Sequence, residues 1–175
     1  IIPGGTSRIT IFINNPSSIG IAMTGATLTD NLPSGLVIQS PANATFTATS
    51  GTCTGTINAI PGAGSFGISS ASISSGAICE LAVDVTTNAV GTLTNTIPAN
   101  NMTSTQGLSN VNSSSASLLS SGNADVAVTK SDPVATMVAG TNTTYTITIT
   151  NSSSALAVAG LPVEVPGTTV NRLCG

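Results

Sequence analysis

The chain has 175 residues, of which three are basic and six acidic, with a net charge of −3 and no histidine or tryptophan. Charged residues are 5% of it, against about 25% in ordinary soluble proteins. This leaves no basic footprint for nucleic acid, no apolar run of ~18 residues to span a membrane as a helix, and no imidazole to act as a general base.

The length suits one domain, or one domain plus part of another. Serine and threonine together number 52, and four residues are aromatic (Phe12, Phe46, Phe66, Tyr145). The core is therefore expected to be Ile, Val, Leu and Ala, and the β-branched residues favour strands over helices. No segment sustains a 3.6-residue apolar period. A surface of hydroxyls and amides stays hydrated without the Lys and Arg that trypsin-like proteases cut, which suits a durable extracellular material. Low charge with abundant Ser, Thr and Gly is also the composition of a disordered stalk, but the alternating apolar segments are too regular for one.

In chain order, Ile9, Ile11 and Ile13 alternate with Thr10 and Phe12 in a first strand that ends at Asn14-Asn15-Pro16. A second carries Ala26 and Leu28 and closes at the turn Thr29-Asp30-Asn31-Leu32-Pro33-Ser34-Gly35. Leu36-Val37-Ile38 follows, then strands around Phe46, Cys53 to Ile57, and Phe66 to Ile73. The central strand lies in Ser75 to Thr86, where Cys79, Leu81, Val83 and Val85 form a wholly apolar face opposite Ile78, Glu80, Ala82 and Asp84. Gly91 to Pro98, Met102 to Leu108 and Val111 to Leu119 read as further strands. Many short strands with a turn signal every 8–12 residues predict an antiparallel β-sandwich of immunoglobulin type.

Gly122-Asn123 reads as a linker, so that residues 1–122 form one sandwich and 123–175 begin a partial second module. There ADVAVTK at 124–130 is an alternating strand, and TYTITITNSSS at 144–154 repeats RITIFINNPSS at 8–18, an offset of 136 residues. Fixed-offset self-similarity marks tandem modules. The first module lacks an opening strand like 124–130, which would leave an unpaired edge beside exposed core. A strand supplied by a neighbouring copy would fill it, and Asp125, Val126, Ala127, Val128, Thr129 and Lys130 are the donor candidate. A chain cut in mid-repeat is the simpler alternative. Starting at Ile1 without methionine or leader, the chain reads as processed or as part of a longer one.

TGATLTDNLPSGLVI at 24–38, SGAICELAVDVTT at 75–87 and GTLTNTIPANNMTSTQGLSN at 91–110 resemble the conserved-repeat immunoglobulin-like modules of large bacterial cell-surface and secreted proteins. ADVAVTKSDP followed by AGTNTTYTITITNSS resembles the start of a companion repeat. The resemblance implies secretion, repeated β-sandwiches and a structural or adhesive role, and it carries over no catalytic residue. LPVEVPGTTVNRLCG at 161–175 departs from it by lacking the TD-LP-GL turn.

Cys53 and Cys79 both fall on strands expected to face inward, and a disulfide between them is the leading reading, ahead of two buried thiols. Two cysteines without histidine are too few for a metal site. Cys174 is left odd, for pairing between subunits or with further sequence. Glu80 and Asp84 lie ~13 Å apart along one strand, too far for a retaining pair of carboxylates, and read as a solvated face. Asp30, Asp125 and Asp132 read as acceptors for backbone N–H groups at turns. Lys130, the only lysine, lacks the last-strand asparagine with which it would form an isopeptide bond. Asn43, Asn101, Asn112, Asn142 and Asn151 each begin an N-x-[ST] acceptor for glycosylation.

The expectation is a structural subunit of an extracellular, cell-surface filament or pilus-like fibre, a homopolymer built through β-strand contacts, with no cofactor and no enzymatic activity. The alternative is an adhesin module whose end loops bind a glycan or protein on a host or neighbouring cell. A surface-layer lattice protein would differ from the fibre only in assembly geometry.

Overall fold

The computed structural model describes residues 1–122, 126–131, 136, 138, 140 and 142–152. They are all-β and antiparallel, with one short 3-10 turn at Ser17–Ile19 and no α-helix among them. The chain divides into two compact units, Ile1–Gly122 and Asn123–Gly175. No helix among the described residues is long and apolar enough to cross a membrane.

Nine strands build the first unit: β1 (Thr6–Asn14), β2 (Met23–Asn31), β3 (Leu36–Ile38), β4 (Thr45–Ser50), β5 (Cys53–Ala59), β6 (Ser65–Ile73), β7 (Ile78–Thr87), β8 (Gly91–Ile97) and β9 (Ser114–Ser120). The middle of one sheet is β7, with β1 on one side and β3 and β4 sharing the other. The second sheet has the order β2-β6-β5, and β8 and β9 form a separate hairpin. The two sheets bury one common core, which makes the unit a β-sandwich.

Period-2 patterning explains why β7 takes the central place. Cys79, Leu81, Val83 and Val85 are fully buried, each at 0% exposure. Ala82 is buried as well, because β1 and β4 cover both edges of the strand. Burying a side chain such as Leu or Val contributes about 1.5–3 kcal/mol. Across the core, Phe66, Ile68, Ala71 and Ile73 of β6 meet Leu28, Ala26 and Met23 of β2. Strict alternation would not bury both Met23 and Ala26. A bulge between them resets the face, with Gly25 at φ +57° and Thr105 packed against it. A bulge lets one extra residue into a strand without losing the ladder on either side.

Gly67 lies in the middle of β6, where a Cβ would run into the Leu28 carbonyl of β2. Close approach of two backbones is the reason for glycine there.

The predicted strand at Met102 to Leu108 does not form. Residues 98–113 are a loop that makes a single bridge to β2, Thr27 with Thr103. Thr105 N–H adds a backbone bond to the Thr24 carbonyl (2.9 Å), and side chains supply more: Gln106 accepts from Thr24 N–H (2.8 Å), Asn101 donates to the Thr29 carbonyl (2.6 Å), and Asn110 accepts from Met102 N–H (2.8 Å). Polar side chains that bond to nearby backbone compete with a ladder, and this loop is rich in them. β2 also runs on through Asp30 to Asn31, past the expected turn.

In the second unit, β10 (Val126–Ser131) pairs antiparallel with β11 (Thr146–Asn151), setting Val126 opposite Asn151, Val128 opposite Ile149 and Lys130 opposite Ile147. The Lys130 ammonium lies 4.0 Å from the centroid of the Tyr145 ring, a cation–π contact.

Candidate interaction groove

β1 is an edge strand. Among the described residues it pairs with β7 alone, from Thr6 opposite Thr86 to Asn14 opposite Ile78. Asn15 continues the pairing by donating its N–H to the Ala77 carbonyl (3.0 Å). Successive residues of an antiparallel strand direct their backbone groups to opposite sides. Since Asn15 faces β7, so do Ile13, Ile11 and Ile9, and the N–H groups of Asn14, Phe12 and Thr10 point to the open edge.

Beside that edge runs a groove of about 590 Å³. One wall is β1. The other comes from Leu28 and Met23 of β2, Ile97 of β8, and Met102 and Leu108 of the loop that follows. Ile9 and Ile11 are only half-buried, although they share a face with Ile13. Phe12 projects outward at 64% exposure. A core strand with half-covered isoleucines and unpaired amides presents both halves of a strand-binding site, apolar floor and main-chain donors.

Among the polar residues that line the same groove are Asn15, Asp30 and Asn95. Asn15 is 1% exposed, and its Nδ2 donates to the carbonyls of Ile21 (2.9 Å), Ser74 (3.1 Å) and Ile73 (3.2 Å). It thereby fastens the exit of β1 to the loop after it and to the end of β6. Asp30, expected as a turn acceptor, is instead wholly buried within β2. Its Oδ2 accepts from Asn95 Nδ2 of β8 at 2.6 Å. Burial pushes the Asp30 carboxyl above its ordinary value, and the Asn95 hydrogen bond opposes the rise. The remaining oxygens, Asp30 Oδ1 and Asn95 Oδ1, are buried without a partner.

The pairing of Asp30 with Asn95 was available in the strand parity. Asp30 shares the inward face of Ala26 and Leu28, and Asn95 that of Leu93 and Ile97. The short acidic side chain beside Pro33 and Gly35 gave a stronger turn signal and masked it.

Asp84 is also not the solvated carboxylate expected of it, at 15% side-chain exposure. Asn43 donates to its Oδ2 (2.7 Å) and Arg8 to its Oδ1 (2.8 Å). The Asn43 bond is the largest influence and holds this carboxyl below the ordinary value; burial opposes it, and the hydrogen bond and charge of Arg8 lower it further. Arg8 reaches Thr45 Oγ1 (3.0 Å) as well, so one cation ties β1, β7 and β4 together. Glu80 stays on the half-buried face of β7.

The predicted disulfide forms: Cys53 of β5 and Cys79 of β7 are bonded, with their Cα atoms 5.9 Å apart, and staple one sheet to the other. A disulfide fits an oxidising compartment. Cys174 and Asp125 lie outside the described residues, as does Asp132. Val126 to Lys130 are found in β10 as expected. Of the N-x-[ST] asparagines, Asn43, Asn112, Asn142 and Asn151 are exposed, and Asn101 is half-buried. The amides of Asn43 and Asn101 are already hydrogen-bonded.

Among known proteins, no curated protein and no solved structure matches the chain. A family model described as a domain of unknown function, DUF7933, matches residues 1–119, which covers β1 to β8 and nearly all of β9. The chain belongs to the DUF7933 family.

Proposed function

We propose that this chain is a structural module of an extracellular, cell-surface filament or pilus-like fibre, joined to its neighbours through β-strand contacts. The observation that carries this reading is the open edge of β1 beside an apolar groove. Such an edge is a template for strand addition, which natural proteins normally blunt with charge, proline or a cover. Here Thr10, Phe12 and Asn14 stand at the edge, and the one charged residue of β1, Arg8, is engaged with Asp84. The inter-sheet disulfide and a surface of hydroxyls with three basic residues in 175 suit a load-bearing body outside the cell. Membership of the bacterial surface-repeat class is part of the same proposal, and rests on the motifs quoted from residues 24–38, 75–87 and 91–110.

No reacting group is assigned, because a mechanical role asks for none. An adhesin reading is weaker: Phe12 is the one aromatic lining the groove and it points outward, so a sugar ring finds little to stack on. Negative-stain electron microscopy of the purified chain over a concentration series tests the proposal. Filaments that appear above a threshold concentration support it. Monomers throughout, with binding to a glycan array, would replace it with the adhesin.

A further inference from the structure

From the internal repeat we infer which strand fills the β1 groove, and in which register: β10 of a second copy lies antiparallel on β1, with Val126 opposite Asn15, Val128 opposite Ile13 and Lys130 opposite Ile11. This rests on the strand-mediated assembly proposed above and specifies its contact.

The register is read from the second unit. There β10 pairs with β11, and β11 is the repeat of β1 at an offset of 136 residues. Subtracting that offset turns Asn151, Ile149 and Ile147 into Asn15, Ile13 and Ile11. Residues directly opposite in an antiparallel pair share a face. Val126, Val128 and the Lys130 stem therefore enter the groove, while Ala127, Thr129 and Ser131 stay outside beside Asn14, Phe12 and Thr10. The open N–H groups of those three β1 residues then meet the incoming backbone.

Burial favours the exchange. On β11, Val128 is 60% exposed, and Ile147 and Ile149 are exposed too. Among the described residues β10 and β11 pair only with each other, and a two-stranded ribbon is marginal by itself. In the groove, Val128 would lie on Ile11, Ile13 and Met102, side chains already part of a core. The strand gives up its contact with the Tyr145 ring, but the long Lys130 stem covers apolar surface while its ammonium stays in water.

β10 of the same copy cannot reach this register. Ser121 is held at the start of β1, its N–H bonded to the Ile1 carbonyl (2.9 Å), and Ile1 packs beside Gly5. Asn15 is nine residues beyond Thr6, ~30 Å along the strand. The five residues from Ser121 to Val126 reach at most ~18 Å. Donor and acceptor sit on different units, so each copy gives one strand and receives one. Such a head-to-tail contact is heterologous and builds an open filament.

Site-directed cross-linking tests this. Two full-length variants, Phe12→Cys and Thr129→Cys, each also carrying Cys174→Ser, are mixed where the parent forms filaments and then oxidised. The expected product is a disulfide between the two different variants, absent when Thr6→Cys replaces Phe12→Cys. Val128→Lys, on a side chain exposed in the free chain, should raise the threshold for filaments at least tenfold. Filaments that form without the cross-link, or at an unchanged threshold with Val128→Lys, would overturn occupant and register while leaving strand-mediated assembly in place. Failure of the parent to polymerise at any concentration would overturn both.

Discussion

Reduction of the Cys53–Cys79 bond perturbs the sandwich at one defined link. The bond closes 26 residues between β5 and β7, and the chain-entropy account of a loop this size gives about 3.5 kcal/mol. A unit of 122 residues has a total stability of roughly 6–18 kcal/mol, so the reduced form should remain folded but lose a large part of its margin. Reduction in place leaves both sulfur atoms in the core, and the difference isolates the cross-link from any cavity. Urea unfolding followed by circular dichroism, with and without reductant, measures it. With a slope near 1.5 kcal/mol per molar urea, the midpoint should fall by about 2 M. A fall below about 0.5 M would mean that the bond spans regions already held together in the unfolded chain, and would refute the staple as a main source of stability.

Other expectations concern the faces of the strands and their carboxyl groups. Leu81→Ala, at a fully buried site, should cost about 2–5 kcal/mol, whereas Phe12→Ala in the monomer should stay within about 0.5 kcal/mol; equal effects in urea titrations would reverse the assignment of the β1 and β7 faces. Gly67→Ala should cost about 1–3 kcal/mol, because its Cβ meets backbone of β2 that cannot rotate away; an unchanged midpoint would refute that close approach. The Asp30 carboxyl is raised, so the folded state holds its proton more tightly, and stability from this group is full below pH 3.8 and lost as pH rises through the folded value. Asp30→Asn should therefore be the more stable protein at pH 7, with the gap closing towards pH 3. The Asp84 carboxyl is lowered, so its contribution is present above pH 3.8 and lost as pH falls through the folded value. Asp84→Asn should flatten that acid limb, and urea midpoints at pH 3, 5 and 7 would read both signs.

The strands were legible because most of them obey one rule. Cys79 to Val85 alternate without interruption, and β1, which pairs with β7 along its length, alternates in the same way, so the pattern and the pairing agree. The disulfide followed from two cysteines on inward parities. The rule weakens where side chains replace most of the ladder: Gln106, Asn101 and Asn110 bond to backbone across the 98–113 loop, and the backbone of Met102 to Leu108 joins β2 only through Thr103 and Thr105. Parity also breaks at the Met23–Ala26 bulge, which no local residue type announces except Gly25. An open edge is a property of sheet order. The repeat in the sequence pointed to a strand beside β1, but only the pairing of β1 with β7, and the position of β8 and β9 across from it, locate the groove.

Amide hydrogen exchange across the assembly threshold tests the central claim most directly. In the monomer, Ile9, Ile11, Ile13 and Asn15, bonded towards β7, should exchange slowly, and Thr10, Phe12 and Asn14 should exchange at nearly unprotected rates. In filaments, the account predicts that these last three become protected by at least tenfold. Filaments in which Thr10, Phe12 and Asn14 exchange as fast as before would show that the β1 edge is still open, and would contradict it.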